Sequence, residues 1–281
     1  MIKFDQIILV GSTQLIYSIA QRLHNYYTEM QLVIFNTAPS AMDKKNFKTL
    51  TGTKKELFNM LESVNIPTVV FSVNNKYILP ESVVSNANLV LINLHHGLLP
   101  AHPGWQAGTW AIYEGDHEAG ITWHYITTGI DEGNIICQKA VKIGEYTTSL
   151  FLQKQCGQLA LETLESMLPL ETLNPDEAVK QNILPERKIH LFSQIPNDGY
   201  LDLRWSIHQM IRFLRAMDFG ILKVMGTPRV RVGDREFLVK RYSVSEIDWI
   251  DGAEIQIIMK EENKMIIKGD ERQIELDLYD E

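Results

Sequence analysis

The sequence predicts an α/β protein with a mainly parallel sheet, followed by a smaller all-β domain. Short continuous apolar runs at 6–10, 31–35, 68–72 and 89–93 alternate with stretches of helical spacing, as expected of strands buried on both faces. After Gly220 the helical spacing stops, and strand-like runs follow one another across Gly-Asp, Asp-Gly and Glu-Asn turns. With 281 residues there is room for both parts. The division expected is a first domain over 1–190, a connector and helix over 191–224, and a β domain over 225–281.

The first strand, Gln6-Ile-Ile-Leu-Val10, runs through Gly11-Ser12-Thr13 into a helix with Leu15, Ile16, Ile19, Ala20 and Leu23 on one face. Residues 31–35 form the second strand, 68–72 the third, and 89–93 a fourth ending on Asn93. Between the second and third, Lys44, Lys45, Lys48, Lys54 and Lys55 read as a solvated basic loop, with contact to acceptor phosphates as the functional alternative. Gly120 opens a strand over 121–126. A helix begins at Thr148 with the stripe Leu152, Cys156, Leu159, Leu164 and Met167. The stretch from 169 to 200 is rich in proline and polar residues and reads as a connector. Ser206 then caps a helix whose apolar face is Ile207, Met210, Ile211, Leu214 and Met217. The β runs are 229–232, 236–244, 254–259, 265–268 and 273–278.

Composition narrows the function. The chain is 45% hydrophobic and 22% charged, ordinary for a globular protein, and its net charge of −8 disfavours a nucleic-acid partner. Two cysteines, Cys137 and Cys156, are too few for a disulfide framework or a zinc site and read as buried thiols. No apolar run approaches the ~18 residues of a membrane span. The opening residues pass straight into a strand without a signal-peptide core, so a cytoplasmic location is expected.

The chemistry concentrates between Ile92 and Gln138. Asn93 and His95 stand two apart at the end of a strand, so a period of two puts both side chains on one face. Ligands of open α/β sheets bind beyond the carboxyl ends of the strands. Asp131 lies in the loop after the next strand, between Gly129 and Gly133, which permit a tight turn. A carboxylate beside an imidazole raises its basicity and fixes its tautomer. Acyl transfer to an amine needs a base, an oxyanion donor and a proton for the leaving nitrogen. Asn93, His95 and Asp131 can supply these with no metal. His102, His117 and His124 match no zinc spacing with His95, and Gly11-Ser-Thr lacks the further glycines of a dinucleotide loop. His96 and Trp105 are candidate acceptor contacts, whereas Trp110 reads as core on a helix after Pro103-Gly104.

These residues resemble the folate-dependent formyltransferase family, which includes methionyl-tRNA formyltransferase and the N-formyltransferases of nucleotide-linked amino sugars. Its pattern is matched by Asn93, His95, Leu98-Leu99-Pro100, Gly104, Gly120-Ile-Thr122 and Gly129-Ile-Asp131-Glu-Gly133. Residues 73–80 resemble the family's pterin-pocket loop, and 198–205 with 214–218 resemble its bridge into a C-terminal barrel-like domain. The resemblance implies a Rossmann-like formyltransferase fold, with 1–190 as catalytic domain. It implies 10-formyltetrahydrofolate as formyl donor, Asn93 as oxyanion donor, His95 as general base or charge stabiliser, and Asp131 as the group positioning His95. It assigns the pterin to Asn75, Lys76, Tyr77, Ile78 and Gly129.

Departures bear on the acceptor. His96 and Gly97 replace the family's usual Gly-Ser. Trp123-His124 and Ala216-Met-Asp-Phe-Gly220 are similar to formyltransferase-like domains of peptide and polyketide synthases. The leading acceptor is a nucleotide-linked amino sugar, with methionyl-tRNA and an amino acid or carrier-bound amine as alternatives. A homodimer is left open, and neither a membrane nor a nucleic-acid partner is expected.

Overall fold

A computed structural model of the chain describes residues 3–39, 47–248, 254–261 and 263–280. The first part alternates strands and helices: β1 (Gln6–Gly11), α1 (Thr13–Tyr26), β2 (Gln31–Asn36), β3 (Lys48–Thr51), α2 (Lys54–Glu62), β4 (Thr68–Val73), α3 (Glu81–Val84), β5 (Leu89–His95), α4 (Ala107–Glu114), β6 (Glu118–Tyr125), β7 (Ile135–Lys142) and α5 (Ser149–Ser166). The seven strands make one sheet in the order β3-β2-β1-β4-β5-β6-β7. From β3 to β5 every pairing is parallel, and β6 runs antiparallel to β5. The central strands are apolar on both faces, and Ile7, Ile8, Leu9, Val10, Val69, Val70 and Phe71 are all buried. Burial of each such aliphatic side chain contributes about 1.5–3 kcal/mol.

The α1 stripe falls where helical spacing puts it, with Ile16, Ile19, Ala20 and Leu23 buried. The lysine-rich stretch is a different matter. Lys48 opens β3, pairing with Val33, and Lys54 and Lys55 begin α2. Lys44 and Lys45 lie outside the described residues. The helix start was signalled by Thr53 and Glu56, which form a capping box: the Thr53 hydroxyl accepts from the Glu56 N–H at 3.3 Å, and the Glu56 carboxylate accepts from the Thr53 N–H at 2.7 Å. The strand β7 had no counterpart in the sequence reading, because its residues are half-buried or exposed and carry no regular alternation. Cys156 is buried, its thiol donating to the Gly120 carbonyl at 3.3 Å, whereas Cys137 is only half-buried.

The later elements are β8 (Tyr200–Leu201), α6 (Ile207–Met217), β9 (Arg229–Val232), β10 (Arg235–Glu246), β11 (Gln256–Glu261), β12 (Lys264–Gly269) and β13 (Arg272–Asp280). They form a six-stranded sheet in the order β11-β12-β13-β10-β9-β8, antiparallel except between β8 and β9, and curled like a half-barrel. Ser206 caps α6 through a second capping box with Gln209, and α6 packs on β12 and β13. Phe213, Leu214, Ile267, Ile274 and Leu276 are buried in this part of the molecule.

The chain forms two compact units that differ from the three consecutive blocks suggested by the sequence. One comprises Met1–Ala107, Ala119–Val141 and Lys154–His190, the other Gly108–Glu118, Lys142–Gln153 and Leu191–Glu281. The cause is a set of hydrogen bonds that tie the inserted segments to α6. Thr109 and Ser149 share a hydroxyl contact at 3.0 Å, Ser149 donates to the Ala216 carbonyl at 2.7 Å, and the Leu150 N–H donates to the Asp218 carbonyl at 3.0 Å. No helix among the described residues is long and apolar enough to cross a membrane.

The turn after β1 requires glycine. Gly11 has φ +150°, and an added Cβ would lie 1.7 Å from the Val73 carbonyl oxygen. Gly11→Ala should therefore cost at least ~2 kcal/mol of stability, read as a lower urea midpoint; an unchanged midpoint would show that β1 and β4 can part freely.

Candidate active site

The register of β5 against β6 assembles the first part of the site. Asn93 pairs with His124 and His95 with Thr122. Residues directly opposite one another share a face of the sheet, so period-two spacing on both strands gathers these four side chains together. Thr122 uses its whole hydrogen-bonding capacity to pin the turn after β5. Its hydroxyl donates to the Gly97 carbonyl at 2.6 Å and accepts from the Leu99 N–H at 3.2 Å and the Gln138 amide at 2.8 Å.

Asp131 enters from the loop after β6 and touches all of this. One carboxylate oxygen, Oδ2, accepts from the Gly104 N–H at 2.7 Å and lies 3.4 Å from His95 Nδ1. The other, Oδ1, lies 3.4 Å from His124 Nε2 and 3.5 Å from Asn93 Nδ2. A carboxylate only accepts, so these contacts orient the Asn93 amide with its nitrogen inward. The backbone that delivers the carboxylate is left-handed at Asp131, with φ 53°. It is held from behind by Gln181, whose amide donates to the Asp131 and Gly133 carbonyls at 2.9 and 2.7 Å. Arg187 adds a bond to the Ile130 carbonyl at 2.8 Å and an ion pair with Glu132. Gly133 is obligatory, since a Cβ there would lie 1.7 Å from the Tyr125 carbonyl oxygen. Gly104 likewise has φ +97° and passes so close to His190 that a Cβ would meet its carbonyl oxygen at 2.2 Å.

Burial sets the proton affinities. Desolvation raises the Asp131 carboxyl, but His95, His124 and the Gly104 N–H outweigh it and bring it down to about 2. Burial depresses His95, with the Asp131 charge opposing that fall. At neutral pH the pair is therefore a carboxylate beside a neutral imidazole. Its Nδ1 faces Asp131, and its Nε2 lies 3.1 Å from the His102 carbonyl oxygen. An imidazole set between two acceptors is prepared to hold an arriving proton. His124 places Nδ1 2.8 Å from the Tyr125 carbonyl oxygen, and its Nε2 lies 3.1 Å from Asn93 Nδ2 and 3.4 Å from Asp131 Oδ1.

The other candidate residues fare differently. Asn75 spends its side chain on its own loop, accepting from the Tyr77 N–H at 3.1 Å and donating to the Tyr77 carbonyl at 2.9 Å. Lys76 lies over the Tyr77 ring, and Ile78 is 64% exposed. This loop leaves β4 beside the end of β5, where Val73 pairs with Leu94, but no hydrogen bond joins it to the Asn93, His95 or Asp131 side chains among the described residues. Gly129 sits under the Glu132 carboxylate, 1.9 Å from where a Cβ would stand. His96 has both ring nitrogens buried without a partner, and desolvation pushes it down to about 4. Trp105 is half-buried, and its backbone N–H donates to the His190 carbonyl at 2.8 Å. Trp110 is buried, as expected of core.

Three contributors escaped the sequence reading as members of the site: His124, Gln181 and Arg187. His124 was detectable as the residue two beyond Thr122 in the same strand. Gln181 and Arg187 carried no local signal, because they reach Asp131 from about 50 residues along the chain.

The chain matches the model of the formyl transferase family over residues 25–168. It is 28% identical to the GDP-perosamine N-formyltransferase of Brucella melitensis over 186 residues, 64% of this chain and 70% of that one. Its fold is similar to that of the N-formyltransferase from Helicobacter canadensis, solved in complex with folinic acid and dTDP-3-aminofucose, at TM-score 0.74 and 18% identity over 99% of this chain and 100% of that one. A 4-N formyltransferase from Francisella tularensis aligns at TM-score 0.64 and 22% identity over 80% of this chain and 92% of that one.

His95 should titrate below the ordinary imidazole value of 6.5, as measured by NMR of the ring signals. In Asp131→Asn it should fall further, because the variant removes the charge that opposes desolvation; a rise would contradict the geometry. Asp131 has its folded value below the ordinary 3.8, so its stabilisation is present above about pH 4 and is lost as pH falls toward 2. Acid unfolding of the Asp131→Asn variant should lack that component.

Proposed function

This chain belongs to the formyl transferase family, and we propose that it moves the formyl group of 10-formyltetrahydrofolate onto the primary amine of a nucleotide-linked amino sugar. The observation that carries this reading is the meeting of Asn93, His95 and Asp131 around one carboxylate, with contacts of 3.4 Å to His95 and 3.5 Å to Asn93. The acceptor class is supported by the relatives, one named for GDP-perosamine and one bound to dTDP-3-aminofucose.

The folate supplies an activated formyl carbon when bound. His95 Nε2 takes the proton that the amine gives up as it attacks. The charge this places on the ring is offset by Asp131, which holds the Nδ1 proton, and by the His102 carbonyl. Asn93 directs an N–H at the formyl oxygen as negative charge develops there. Its contact with Asp131 is long at 3.5 Å, so that hydrogen is released at little cost. The proton on His95 then passes to the departing nitrogen. Gly104 keeps the carboxylate from turning during these transfers, because its N–H bond of 2.7 Å is the shortest that Asp131 makes. The loop containing Asn75, Lys76, Tyr77 and Ile78, together with Gly129, is assigned to the pterin. The exposed Ile78 offers apolar surface for a flat ring. Both reactants are charged, water-soluble metabolites, so the reaction is placed in the cytoplasm.

The test is direct: full-length protein with 10-formyltetrahydrofolate and a panel of GDP- and dTDP-linked amino sugars, the N-formyl product read by mass spectrometry. Turnover of methionyl-tRNA or an amino acid in place of every sugar would overturn the acceptor. His95→Ala and Asp131→Asn should each lower kcat at least ~100-fold while donor binding survives, since both groups act chiefly in the transition state. Near-normal turnover in either variant would remove that residue from the mechanism.

A further inference from the structure

The second compact unit contains a cavity of about 460 Å³, the size of a small-molecule pocket, lined in part by Arg212, Arg215, Glu145, Asp218, Tyr146 and Tyr242. Arg212 and Arg215 stand one turn apart on α6, so their guanidinium groups reach the same cavity. The Nε atoms of both are buried with no hydrogen-bond partner. Arg215 is anchored by one arm, donating to the Gly144 carbonyl at 2.8 Å and the Thr147 carbonyl at 3.5 Å. No side chain or carbonyl among the described residues takes a hydrogen bond from Arg212. Its guanidinium passes over Gly115, where a Cβ would lie 2.8 Å from an arginine nitrogen.

The cavity's two carboxylates are both engaged elsewhere. Asp218 accepts from the Tyr242 hydroxyl at 3.0 Å and the Gly220 N–H at 2.8 Å. Glu145 is ion-paired with Arg272. Two half-buried arginines, each with a buried Nε that lacks a partner, thus line one space whose carboxylates are bound to other groups. Burial depresses Arg215, and the Arg212 charge adds to that fall while Tyr242 and Glu145 oppose it. Partly desolvated donors left unpaired are costly, and a planar guanidinium fork matches the oxygens of a phosphate.

We propose that this cavity binds a phosphate-bearing small molecule, with the phosphate held between Arg212 and Arg215 and the rest of the molecule against Tyr146, Tyr242 and Ile211. Every residue of the site belongs to the second unit, and the proposal does not depend on the formyl-transfer reading.

Calorimetric titration of the full chain with inorganic pyrophosphate, in the absence of folate and sugar, tests it. One saturable site is expected, weakened at least ~10-fold by Arg212→Gln, as for loss of a charged hydrogen bond. Because Arg212 makes no internal hydrogen bond, that variant should keep its thermal midpoint. If the midpoint drops, Arg212→Lys takes its place: it keeps the charge, loses the fork, and should still bind more weakly than the parent. Asp131→Asn should bind pyrophosphate as the parent does, which separates this site from the catalytic one. Absence of binding, equal affinity in the Arg212 variant that keeps its midpoint, or loss of affinity in Asp131→Asn overturns the proposal.

Discussion

A single, mostly enclosed carboxylate holds the candidate active site together. Asp131 accepts from the Gly104 N–H and lies within 3.5 Å of nitrogens on Asn93, His95 and His124. Such a group is expensive to desolvate, and it stays ionised only because its donors surround it. The rest of the loop exists to keep it there: a left-handed backbone at Asp131, an obligatory glycine at 133, and the side chains of Gln181 and Arg187 bound to its carbonyls. Remove the carboxylate and the three nitrogens lose their common reference.

In the proposed mechanism, the same carboxylate lets an imidazole buried in the sheet act as a base. Burial alone favours neutral His95, while Asp131 and the His102 carbonyl stabilise the protonated ring. A base poised between these opposing effects takes a proton when the chemistry offers one and returns it when the leaving group needs it. This logic requires no metal and no covalent intermediate, in keeping with formyl transfer to an amine.

The second unit is organised around α6. Its apolar face packs on β12 and β13, and the segments around Thr109 and Ser149 are hydrogen-bonded to its end. The polar edge of the same helix presents Arg212 and Arg215 to a cavity whose carboxylates are occupied by other partners. One helix therefore serves both as the core of the unit and as the carrier of an unpaired positive charge.

Local pattern carried much of this into the sequence. Continuous apolar runs identified β1, β2, β4 and β5, helical spacing identified α1 and α6, and turn residues marked the later strands. Asn93 and His95 could be paired because a strand's period is two, a property of the backbone that needs no partner. The short β3 and the edge strand β7 were invisible, since each is stabilised by the strand it joins and not by its own composition. The opposition of His124 to Asn93 depends on strand register. The support of Asp131 by Gln181 and Arg187, and the binding of 108–118 and 142–153 to α6, depend on contacts between distant segments. Those were decided only by tertiary structure, because hydrogen bonds between residues far apart in the chain leave no periodic trace in either partner.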